Sequence, residues 1–182
     1  HSLVAAADAA AFGGGEQSAE SDDALWQMLG VGPLSGDEFE CPLAMNDAQQ
    51  ELLKYLVDDQ QTAMDVLTRA GQRLIAGDVD GAASDLQELS SSTERTMTFF
   101  GHKTLLALSQ LVGAISGELK NVAPETRPVL AELLSFIGEI WSRCSTALVN
   151  SVEQRWPLQQ LIGRVAEARQ KAGAENIFEY ST

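Results

Sequence analysis

The stretch VDGAASDLQELSSSTERTMTFFGHKTLLALSQLVGAISGEL, residues 79–119, decides the fold class. Its residues Val79, Ala82, Leu86, Leu89, Thr93, Met97, Phe100, Thr104, Ala107 and Leu111 follow one another at threes and fours without a slip. That is the period of an amphipathic helix, not the alternation of a half-buried strand. Forty helical residues at ~1.5 Å each would reach ~60 Å, which is long for a compact domain. Two places can interrupt the run: the Ser90–Thr93 hydroxyl cluster and Gly101.

The sequence on either side is helical too. Upstream, Asn46 or Asp47 can cap a helix that carries Leu52, Leu53, Leu56, Ala63, Val66, Leu67, Ala70 and Leu74 on one face. Gly77 supplies its stop, and Asp78 can cap the next helix. So short a turn predicts a helical hairpin over 47–119. Downstream, NVAPETRP (121–128) reads as a loop, with Thr126 as a cap and Pro128 in the first turn of a helix. That helix is expected over 127–156, ended by Pro157, and a last one over 158–172. β-Branched runs and hairpin turns are missing. The expected architecture is all-α, an antiparallel bundle of about four helices.

Charge divides the chain differently. His1 to Leu53 hold ten acids and no Lys or Arg, so this part carries −10 of the net −14. Three regions are expected: an acidic, mostly extended arm (1–45), a helical bundle (46–172) and an acidic tail (173–182). A short Ala-rich helix over Ser2–Phe12 would be stopped by Gly13–Gly15. Within the arm, Asp22 and Asp23 precede Leu25, Trp26, Met28 and Leu29, a one-turn apolar cluster ended by Gly30. An isolated helix of that length is unstable in water, so the cluster must dock. It either fills a groove on a partner or folds back on its own bundle. The partner reading assigns binding to Asp22, Asp23, Leu25, Trp26, Met28, Leu29 and Phe39 of the arm, Phe99 and Leu106 of the bundle, and Phe178 and Tyr180 of the tail. The acids, with Asp37, Glu38 and Glu40, would meet a basic rim.

Several classes are disfavoured by the same residues. Twelve bases against 26 acids do not make a face that neutralises phosphates, so nucleic acid is not an expected partner. The most apolar window, Met97–Gly117, contains His102, Lys103 and Gln110, which are costly in lipid, so no transmembrane segment is expected. The apolar start SLVAAADAAAF lacks the basic flank of a signal or transit peptide. The composition suits a soluble protein of the cytoplasm or an organelle matrix. Cys41 and Cys144, without CxxC or Cys/His neighbours, read as free thiols. Nucleophile-elbow, P-loop and dinucleotide motifs are missing, as are the Glu-x-x-His pairs of a di-metal bundle, so no enzyme activity, cofactor or metal is expected. His102, followed by Lys103, superficially suggests a phosphotransfer bundle, but the order of elements around it is wrong. A polar His beside an apolar stripe is the plainer reading.

One excess is left over. Phe99-Phe100, Leu105-Leu106, Leu108 and Leu111-Val112 double the stripe of the 79–119 run, and Val129-Leu130 and Leu133-Leu134 do so downstream. Adjacent residues point ~100° apart, so the apolar face is wide. It suits either a helix surrounded by neighbours or a second face for a partner or another copy. LIAGDVDGAASDLQEL (74–89), an amphipathic helix, an acidic turn and a second helix, is similar in pattern over Asn46–Leu119 to phasins, the coat proteins of polyester storage granules. That resemblance implies an amphipathic coat on a hydrophobic surface. The leading expectation is a non-enzymatic structural or adaptor subunit that binds other chains. A coat protein and a helical sensor module with a cleft between helices are the alternatives.

Overall fold

A computed structural model of the chain describes residues 24–30, 32–34 and 36–167, apart from the side chains of 57–61. The expected 2–12 helix, Asp22, Asp23, Phe178, Tyr180 and the 173–182 tail lie outside the described residues. What is described is mostly helical. In chain order it has a short helix α1 (24–29), a 3-10 turn at Gly36–Glu38 and strand β1 (Glu40–Pro42). Helices α2 (Asp47–Ala76), α3 (Val79–Phe100), α4 (Lys103–Glu118) and α5 (Arg127–Val149) follow, then strand β2 (Val152–Gln154) and helix α6, described over 159–167.

The ends of α2 follow the local chemistry. Asn46 forms a reciprocal capping box with Gln49, and Gly77 closes the helix in the left-handed conformation at φ 92°. Asp78 then accepts from the Gly81 N–H to start α3. Pro128 lies in the first turn of α5, as expected, whereas Thr126 makes no side-chain cap.

The single long helix expected over 79–119 is corrected to two. Gly101 adopts φ 70° and its N–H closes on Met97 and Thr98, after which His102 caps α4. The chain reverses, and α3 packs against α4. An unbroken stripe is compatible with either geometry, because reversal at Gly101 points the two halves of the stripe at each other. Leu86, Leu89 and Met97 of α3 and Leu105, Leu108 and Val112 of α4 are buried in one core.

α2 packs on both α3 and α5, and small residues let these helices approach closely. A Cβ on Gly71 would meet Ala131 at 3.8 Å, and one on Gly138 would meet Met64 Sδ at 3.4 Å. Between α3 and α4 the buried Ser90 hydroxyl donates to Ser109 O at 2.6 Å, beside Gly113.

The helix expected over 127–156 ends at Val149. Ser151 takes φ 61°, and residues 152–154 become a strand. β2 pairs antiparallel with β1 in the register Glu40↔Gln154, Cys41↔Glu153, Pro42↔Val152. Flanking bonds from Leu43 N to Ser151 O (2.8 Å) and from Arg155 N to Phe39 O (2.7 Å) extend the ladder. The N-terminal arm is thus stitched to the far end of the chain over its described part.

Candidate functional site

Two features of the described bundle are candidates for a function: a cleft where helices diverge, and the clasp that holds the arm.

The cleft begins with α2. Ala63, Leu67, Ala70 and Leu74 of its stripe are buried, whereas Leu53 and Leu56 are only half-buried and Leu52 is 36% exposed. The apolar face therefore runs on past the point where the bundle covers it. Gln49 Nε2 donates to Phe99 O at 2.8 Å, tying the start of α2 to the end of α3. Between that tie and Ala63 the helices leave a hollow of about 220 Å³. Leu56, Thr62 and Ala63 of α2 form one wall and Leu89, Ser92, Thr93, Thr96 and Met97 of α3 another. Trp141, Ser145 and Leu148 of α5 close the floor. Two hydroxyls are already engaged along their helix, Ser92 with Leu89 O and Thr96 with Ser92 O. Among the described residues its lining is apolar side chains and hydroxyls, a lining suited to binding. A second depression of about 510 Å³, bordered by Glu40, Glu139, Arg143 and Gln154, is wider, more open and polar.

The clasp is aromatic on one side and ionic on the other. Trp26 stacks on Trp156 with centroids 4.6 Å apart, and Phe39 closes the triad at 5.3 and 5.0 Å. The Trp156 indole N–H donates to Gln154 Oε1 at 3.0 Å, and Gln154 Nε2 reaches Glu40 at 3.4 Å. Glu153, 3% exposed, points inward from β2. Its Oε2 accepts the Lys103 N–H at 3.3 Å and its Oε1 accepts from Arg155 Nε at 3.1 Å. A carboxylate at the first turn of α4 is favoured by the helix dipole. Glu153 also holds the Arg155 guanidinium above its usual range through their hydrogen bond.

His102 is fully buried. Its Nδ1 accepts the Leu105 N–H at 3.1 Å, which places the proton of the neutral ring on Nε2, an atom buried without a hydrogen-bond partner among the described residues. Burial lowers its pKa, and the nearby Glu153 charge offsets part of that. Cys144 is also buried, and desolvation, with Glu153 adding, pushes its thiol far up, so it is a poor nucleophile. Both cysteines are free.

The residues assigned to partner binding are scattered. Leu25, Trp26 and Leu29 are buried in the core of their own bundle, with Met28 and Phe39 packed against it. In this conformation they face the body, the second of the two placements expected for the cluster. The reason is complementarity: Trp156 needs an apolar cover, and Trp26 of α1 provides it. Leu106 is half-buried on α4, while Phe99, 45% exposed, stands at the Gln49 end of the cleft. Sequence reasoning missed the cleft hydroxyls Ser92, Thr93, Thr96 and Ser145, and also Glu153. The linear pattern marked Ser92 and Thr93 only as part of a possible break at Ser90–Thr93; as lining residues they gain meaning only from the divergence of α2 and from the reversals at Gly101 and Ser151.

No helix among the described residues is long and apolar enough to cross a membrane. Comparison with protein-family models, curated proteins and solved structures finds no match to the chain.

Proposed function

We propose that the chain is a non-enzymatic, protein-binding subunit: a helical bundle with an acidic arm whose recognition site is the α2–α3–α5 cleft. The observation that carries this reading is the uncovered continuation of the α2 stripe beside a hollow floored by Trp141. Clefts that bury drug-sized ligands run to ~300–1,000 Å³. A hollow of about 220 Å³ is small for such a ligand and suits one or two anchor side chains of a partner. The net charge of −14 favours a partner segment with basic flanks.

The alternatives gain less. The wide stripe of the 97–112 region is largely spent in packing between helices, which weakens the reading as a granule coat. A phosphotransfer role for His102 would need an exposed ring nitrogen, and both are buried.

The test places a photo-crosslinking residue at Thr93 of the full chain in its native cells. Partners captured there should be lost when Ser92→Trp fills the hollow and kept in Val129→Arg, a change on an exposed site of α5. Equal capture in wild type and Ser92→Trp would sink the cleft as the recognition site.

A further inference from the structure

We propose that His102 and Glu153 form a proton-operated clasp, in which protonating the His102 imidazole frees the arm (24–43) from the helical body while α2–α5 stay packed. This inference uses a different site from the cleft and does not depend on it.

The argument starts at one lone pair. Nδ1 of His102 accepts the Leu105 N–H, so a proton arriving from water can bind only by taking the electron pair that makes the cap. The N–H bond formed at Nδ1 replaces the Leu105 N–H···Nδ1 hydrogen bond, and two donors then face each other at the positive end of the α4 dipole. The Nε2–H, already without an acceptor among the described residues, gives the cation no second partner there. A fully buried ring in this arrangement cannot hold its charge and its position together.

The ionisable groups on the neighbouring elements decide where it goes. Glu153 acts on it from β2, Arg155, Cys144 of α5 and Cys41 of β1 lie around Glu153, and Lys103 follows His102 on α4. Among the described residues, the charge that acts on His102 is that of Glu153, and its effect is attractive. The imidazolium therefore has two outcomes. It swings out and leaves α4 uncapped, or it pairs with Glu153 and draws that carboxylate from the Lys103 N–H and from Arg155. Either movement breaks the tie between α4 and the inward side chain of β2. β2 has only three residues, and its other strand is the arm itself, so disturbing it loosens the ladder and the Trp26–Phe39–Trp156 contact together. Trp26 and Leu25 would then be presented as an apolar segment.

Cysteine accessibility reads the opening, because Cys41 is half-buried in β1 and Cys144 is buried inside α5. The full chain is labelled with a pyridyl disulfide, which reacts down to acid pH, and each rate is normalised to the same chain in denaturant. Cys41 labelling should rise by up to about tenfold per pH unit below ~6.5 while Cys144 stays protected. In His102→Asn, which retains a capping oxygen and cannot titrate, the rise should vanish. Flat Cys41 protection in the wild type, an equal rise in His102→Asn, or Cys144 opening in step with Cys41 would each overturn the proposal. Should His102→Asn not fold, NMR of the wild type decides, since the chain has only two histidines. The His102 ring must titrate with the midpoint of Cys41 exposure; a ring that stays neutral through that range refutes the clasp.

Discussion

Ser90 and Gly113 show how a single missing methyl fixes a helix pair. The Ser90 hydroxyl is buried and donates across to Ser109 O. A Cβ on Gly113 would stand 2.6 Å from that hydroxyl oxygen and 3.4 Å from its Cβ. Gly113→Ala should therefore destabilise the protein by ~1–3 kcal/mol through overpacking, despite the better helix propensity of Ala. Ser90→Ala removes the clashing oxygen, so the double variant should recover part of the loss in urea unfolding. Strictly additive single losses would rule out the contact as the cause. His102 supplies the second prediction at this scale. Its folded pKa lies below the ordinary value of 6.5 because burial disfavours the cation. The unfolded chain thus binds the proton more readily, and the stability His102 contributes is present above ~6.5 and lost as pH falls toward the depressed value. Urea midpoints should drop from pH 7.5 to 5.5 in the wild type and drop less in His102→Asn.

At the scale of elements, the arm is a working part of the core. Leu25, Trp26 and Leu29 are buried, and the stacked Trp26–Trp156 pair adds specific aromatic geometry to the area it covers. Trp26→Ala should cost ~3–5 kcal/mol, the range for deleting a buried Trp, measured as a fall in unfolding free energy. A change under ~1 kcal/mol would show that the strap is peripheral to folding and would restore the partner-bound arm. Much of the helical plan was legible because its signals are local. Asn46, Gly77 and Asp78 each sit within one turn of the boundary they set, and Gly101 was visible as a weak point. The fold-back there was not legible, because an unbroken 3.6-residue stripe looks the same in a straight helix and in two facing ones. The β1–β2 clasp joins three-residue strands across more than a hundred residues, and no local propensity encodes such a pairing. Trp26 was ambiguous for a related reason: a helix ligand and an internal strap use the same apolar anchors.

Across the whole molecule, the arm brings two opposed effects, and their relative size can be measured. Residues 1–45 hold eight acids and no bases, so a chain starting at Asn46 would change its net charge from −14 to −6. Less self-repulsion favours the compact state. The same deletion removes Leu25, Trp26 and Leu29 from the core, takes the partner strand from β2, and uncovers Trp156. Fully burying a large apolar side chain contributes ~1.5–3 kcal/mol, so three of them outweigh the relief expected from exposed, water-screened charges. The truncated chain should melt lower than the full chain. Salt separates the two effects, because at 1 M the Debye length shrinks to ~3 Å and surface repulsion nearly disappears. Raising salt should lift the melting temperature of the full chain more than that of the truncated one, since only the former carries the acidic segment. Yet the gap between them should widen, because the lost burial is insensitive to screening while the truncated chain's charge advantage is erased. A gap that closes at high salt would mean that the arm acts on the bundle through charge alone and that the aromatic clasp contributes nothing to its stability.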